Sequence, residues 1–142
     1  MFRIVTVFLI VIAGAINGCS DQETNMTIGN SIDFKEVALK FTKALTDRDY
    51  STAYVMTSSE YRNRANLGQM KAEFEAIVPP DWGTMGPIEI GETLKDWPDK
   101  QPSDLIWVYV SIGGDVYSEA VTVVITLEKG DPKVRKVEFG RP

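Results

Sequence analysis

Histidine is absent from this 142-residue chain, and cysteine occurs once, at Cys19. Without histidine the commonest general acid/base near neutral pH is missing, which removes most hydrolase triads. One cysteine cannot form an intramolecular disulfide, and no Cys/His cluster is present to hold zinc. No metal site, cofactor or catalytic residue is therefore assigned from sequence. Positive charge is also in the minority, 15 Lys+Arg against 20 Asp+Glu, a net charge of −5. With no basic stripe, that balance argues against a nucleic-acid partner. What is present is one domain's worth of chain, long enough to build a core without staples.

Long apolar runs are scarce as well. Ile4–Ile16 follows Met1-Phe2-Arg3 and is too short to span a hydrocarbon core of about 30 Å. A charged start and a short apolar run are the anatomy of a secretory signal. Two processing readings stay open. Ile16-Asn17-Gly18-Cys19 resembles a bacterial lipobox, which implies lipid attachment at Cys19 and removal of residues 1–18. Asn17 departs from that pattern, where a small residue is usual. Ala13-Gly14-Ala15 instead fits ordinary small-x-small cleavage, leaving a secreted protein with a free Cys19. Ser20 after the cysteine resembles the signal that sends such lipoproteins to the outer membrane, on its periplasmic side. Losing residues 1–18 removes Arg3 and takes the net charge to −6. Residues 19–31 are polar, have no period and read as a flexible tether, leaving 32–142 as the domain.

The first half of that domain reads as helices. Asp33 and Glu36 form a capping-box pattern, with Ile32 and Val37 placed as a hydrophobic staple. Phe34, Val37, Ala38, Phe41, Ala44 and Leu45 follow helical spacing for about three turns. Asp49 caps a second helix with Tyr50, Ala53, Tyr54 and Met56 inward. A short third helix opens at Ser58. Asn66 caps a fourth, in which Leu67, Met70, Phe74, Ile77 and Val78 make the apolar stripe, and Pro79-Pro80 ends it. Asp81-Trp82-Gly83 reads as a tight turn with a buried tryptophan.

The second half reads as strands. Ile88–Glu92 alternates, Leu94–Ser103 is a proline-containing loop, and Leu105–Leu127 is a hairpin about Gly113-Gly114. Pairing even with odd positions merges Ile106, Val108, Val110 and Ile112 with Val121, Val123 and Ile125 into one apolar face. A three-residue turn at Lys129-Gly130-Asp131 leads into Lys133–Phe139. That turn sets Ile125 opposite Arg135, Val123 opposite Val137, Val121 opposite Phe139 and Glu119 opposite Arg141.

Helices followed by about four antiparallel strands define an α+β order, with the N-terminal helices packed on a curved sheet. At residues 32–139 the chain resembles the nuclear transport factor 2-like (cystatin-like) superfamily, in its small bacterial lipoprotein form. The resemblance rests on Ala38, Phe41, Ala44-Leu45, Asp49-Tyr50, Ala53-Tyr54, Ser59, Tyr61-Arg62 and the C-terminal strand pair. It implies a cone whose sheet wraps a pocket roofed by helices, with dimerisation through the outer sheet face in many members.

Within such a cone, Tyr54, Tyr61, Tyr117, Glu119 and Arg135 are the pocket candidates. Glu119 stands on an otherwise apolar strand face. It is either a carboxyl raised by burial for proton transfer, or a group at the sheet end paired with Arg141 or solvated. The tyrosines are either ligand hydroxyls or core residues bonded to backbone. Arg135 either receives an anion or snorkels out of the sheet. Trp107 and Tyr109 share the outer face, as a dimer or partner interface or as a patch covered by Trp97 of the preceding loop. The sequence thus points to an envelope lipoprotein, held to the membrane by its lipid, that binds a small apolar ligand, a peptide or a protein. A ketosteroid isomerase- or cyclase-like enzyme and an immunity-type protein that neutralises a basic partner are the alternatives.

Overall fold

The computed structural model describes residues 33–83, 85–114 and 118–141. The expected signal and tether, with Cys19 and Ile32, therefore lie outside the described residues, as does Tyr117. Four helices come first: α1 Phe34–Thr46, α2 Tyr50–Val55, α3 Ser59–Arg64 and α4 Leu67–Ile77. Four strands follow: β1 Ile88–Leu94, β2 Asp104–Gly113, β3 Ser118–Glu128 and β4 Asp131–Phe139. They form one open antiparallel sheet in the order β1-β2-β3-β4, the α+β layout expected of the cone.

The helix starts follow from short polar side chains that satisfy otherwise unpaired amides. Asp33 accepts from the Lys35 amide at 2.9 Å, Asp49 from Thr52 at 3.1 Å, and Ser58 from Tyr61 at 3.2 Å. The reciprocal capping box forms at α4, between Asn66 and Gln69, and not at α1. There Glu36 pairs with Lys40 at 2.8 Å instead. Apolar spacing turns Ala38, Phe41, Ala44 and Leu45 of α1 inward, and Met70 and Phe74 of α4 join them. Two residues expected inside are exposed: Leu67 of the α4 stripe, at 37%, and Trp82, at 38%, in a 3-10 turn over Pro80–Trp82.

α1 ends on a Schellman motif, in which the Arg48 amide bonds to the Leu45 carbonyl and the Asp49 amide to that of Ala44. Such a motif needs one left-handed residue, and glycine usually fills that place. Here it is Arg48, at φ 62°. Its side chain is the reason. The guanidinium donates to Tyr50 Oη at 3.0 Å and to the carbonyls of Val78 and Pro79 at 2.9 and 3.1 Å. It also lies 5.4 Å from the Phe74 ring centre. One strained backbone position thereby ties the end of α1 to the end of α4.

The central hairpin has the register demanded by its apolar pattern: Ile106, Val108 and Val110 face Ile125, Val123 and Val121. α1 packs across all four strands on that face. The second hairpin differs from expectation. Glu128 pairs with Asp131, so the turn is the two residues Lys129-Gly130, at φ 55° and 88°. Both left-handed angles suit a primed turn, whose twist matches the strands. Ile125 then faces Val134, not Arg135, and a bulge at Arg135 absorbs one residue before Val137 meets Val123 as expected. Two further bulges, at Gly91 and Leu105, bend the sheet. No helix among the described residues is long and apolar enough to cross a membrane.

Candidate functional site

The Arg135 bulge faces the Leu105 bulge across β3, and between them they set up a buried ion pair. Asp104, just before the β2 bulge, accepts from Arg135 Nε at 2.5 Å and Nη2 at 2.7 Å. The Gln101 amide adds a third bond to the Asp104 carboxylate, at 2.8 Å. Both residues are 4% exposed. Half-exposed Glu60 on α3 reaches Arg135 Nη1 at 3.3 Å. The bond to Asp104 holds the guanidinium's pKa above its already high value. Arg135 therefore neither snorkels nor stands free for an anion. It joins β2, β4 and α3, a fixed planar fork meeting a carboxylate.

The tyrosines turn inward. Tyr54 is half-buried, and its hydroxyl donates to the Ala65 carbonyl at 3.2 Å. Tyr61 is 5% exposed, and its hydroxyl has no hydrogen-bond partner among the described residues. Burial pushes its pKa up to about 12, with Glu73 adding to the effect. Glu119 sits far along β3 from Arg135, half-buried and opposite Ile112. No ion pair joins it to Arg141 among the described residues. Arg135 and Glu119 are thus held apart, and Tyr117 lies outside the described residues. Of the described candidates, Tyr54 is near enough to Tyr61 to help raise its pKa, whereas Arg135 is committed to Asp104 and Glu119 stands at the other end of β3.

Among the described residues, side chains pack together where they were expected to line a pocket. Phe41, Leu45, Met70 and Phe74 from the helices meet Val108, Val110, Ile112, Val121, Val123 and Ile125 from the sheet, all fully buried. Several concavities lined by described residues open at the surface, one of about 270 Å³ beside α2 among them. One of about 550 Å³ runs between the end of α1 and residues 80–88, and its two cations are committed. Lys43 pairs with Asp47 at 2.7 Å, and Arg48 is bonded as described. A second, of about 340 Å³, separates α4 from β4. A third, about 180 Å³, lies over the Arg135 cluster among Ser59, Ser103 and Thr126. Among the described residues, no group of three Asp, Glu, Cys or His side chains is placed to hold a metal ion.

On the outer face, Trp107 and Tyr109 are brought together as expected, stacked with ring centres 6.4 Å apart and planes 19° apart. They are half-buried rather than open. Tyr109 covers the Gly91 bulge so closely that a methyl group there would lie 2.8 Å from its ring. Neighbouring Ala120, Thr122 and Val124 on β3 are buried. Trp97 carries the Lys100 ammonium 5.5 Å from its ring centre.

Sequence reasoning missed Asp104, Glu60 and Arg48. Asp104 lies 31 residues from Arg135 and Glu60 lies 75, and neither carries a local signal of that pairing. Arg48 had one available signal: a helix end with no glycine after it. Comparison with protein-family models and with curated proteins finds no match to this chain.

Proposed function

We propose that the protein is a non-catalytic lipoprotein of a bacterial cell envelope, of the nuclear transport factor 2-like type, that binds a peptide or protein partner at its surface. The close packing of the described core residues carries this reading. A small apolar ligand or an isomerase substrate needs a cavity with converging polar groups, and the candidate groups are instead dispersed or paired. The lipobox-like stretch ending at Cys19 supports the anchor. The stacked Trp107–Tyr109 pair supports a protein contact on the outer face, because aromatic side chains supply much of the energy of such contacts.

The test uses the full chain expressed in a bacterium with labelled palmitate. Cys19→Ala should lose the label and move the protein from the membrane to the soluble fraction; retained label would refute acylation. Capture of envelope proteins on the wild-type chain, but not on Trp107→Ser/Tyr109→Ser, supports the outer-face contact. Equal capture by both refutes it.

A further inference from the structure

β4 is an edge strand, and the two halves of its edge differ. Near its start the chain closes the edge with its own backbone. Val134 donates to the Met56 carbonyl at 2.9 Å and accepts from the Ser58 amide at 2.8 Å, a parallel bridge formed by the α2–α3 connection. Arg64 Nη2 then caps the Arg135 carbonyl at 2.8 Å. Beyond that point no described residue pairs with the edge. The Gly140 amide bonds inward to Ala120 at 2.9 Å. Alternation along an antiparallel ladder therefore turns Lys136 and Glu138 toward β3, and turns the N–H and C=O of Val137 and Phe139 outward. No described residue bonds to those outward groups.

The groove of about 340 Å³ lies beside this open stretch, lined by Glu73, Ala76 and Ile77 of α4 and by Val137 and Phe139. Val137 and Phe139 are half-buried, Phe139 lying edge-on to Phe74 with ring centres 6.1 Å apart, whereas their β3 partners Val123 and Val121 are fully buried. A further strand would complete that difference.

We propose that the Val137–Phe139 edge receives a short extended peptide as a fifth strand, with an apolar side chain filling the groove against α4. The inference rests on the non-catalytic binding reading, but not on the Trp107–Tyr109 face. An extended segment is the occupant because the adjacent rung of the same edge already holds one, Met56–Ser58. A second copy would bring two chains of the same net charge, −5, edge to edge. Glu73 at the rim and the net charge of −5 favour a basic peptide.

The probe is a fluorescein-labelled peptide, Lys-Val-Lys-Val-Lys-Val-Lys, titrated by anisotropy with full-length protein in non-ionic detergent. Saturable binding with Kd below about 1 mM is expected. A probe N-methylated at alternate amides should bind at least about tenfold more weakly, because its strand-pairing donors are gone. Val137→Pro removes an outward N–H without cutting the β3 ladder and should abolish binding. Ala76→Arg, at an exposed helix position, should cost at least about tenfold with the fold intact. Absence of saturable binding, indifference to N-methylation, or unchanged affinity in Ala76→Arg would overturn the assignment. A concentration-dependent dimer dissolved by Ala76→Arg would overturn it in favour of a second copy. Failure of Cys19-dependent anchoring would leave all of these results unchanged, so the two proposals fail separately.

Discussion

At the scale of single residues, Tyr61 shows how a candidate ligand group becomes a structural one. A buried hydroxyl without a partner costs about 1–3 kcal/mol, so the ring stabilises the core while its oxygen opposes that gain. Tyr61→Phe should leave stability unchanged or raise it by up to about 1 kcal/mol, read by urea denaturation. Loss of stability would mean that the hydroxyl has a partner. The same substitution tests the alkaline limb. The folded phenol holds its proton more tightly than the unfolded chain, about 12 against 10.0. That contribution is complete below pH 10 and is lost as pH climbs toward 12. Tyr61→Phe should therefore soften alkaline unfolding, with a remainder from Tyr50, whose pKa burial also raises.

The Asp104–Arg135 pair gives the opposite case, two charges inside the sheet with their bonds nearly complete. Asp104→Asn leaves a buried guanidinium with only half-exposed Glu60 as counter-charge, and should cost about 3–5 kcal/mol. Adding Arg135→Met removes the stranded charge. The double variant should recover much of the loss in the same urea titration; a double variant as weak as the single would mean that the pair's value is its own attraction.

At the scale of elements, Arg48 separates two opposing terms. The left-handed backbone disfavours any side chain, yet three hydrogen bonds and the Phe74 contact depend on this one. Arg48→Gly relieves the backbone and loses the tie, for a net loss of about 1–2 kcal/mol. Arg48→Ala loses the tie and keeps the strain, and should lie about 1 kcal/mol lower still. Thermal unfolding checks the order, wild type above glycine above alanine. Glycine above wild type would show that the tie contributes little.

The same scale explains what could be read in advance. The parity of the β2–β3 pairing was legible because setting even positions against odd ones puts Ile106, Val108 and Val110 on one face with Val121, Val123 and Ile125. The β3–β4 register was legible only beyond the bulge. Nothing in Lys129 announces a left-handed angle, so the turn was expected one residue too long, and Arg135 makes up the difference. Helix starts were visible through Asp33, Asp49, Ser58 and Asn66, since capping is local chemistry. The Arg135 cluster was hidden because it depends on two bulges, and bulges have no compositional mark of their own.

At the scale of the whole molecule, the order of elements was legible because each strand pairs with its neighbour in sequence and no crossover intervenes. The use of the interior was not. A cone with a pocket and a cone filled by Phe41, Leu45, Met70 and Phe74 have the same apolar pattern, and only side-chain volume distinguishes them. α1 opens the described fold, but its cover comes from all four strands, the last ending at Phe139. The chain therefore cannot settle half by half. Phe41 and Leu45 lack their full lining until the final strand arrives, and closure joins contacts roughly a hundred residues apart. For a polypeptide exported as proposed, that delay is protective: the chain stays threadable until its last strand has passed and commits to structure in one event.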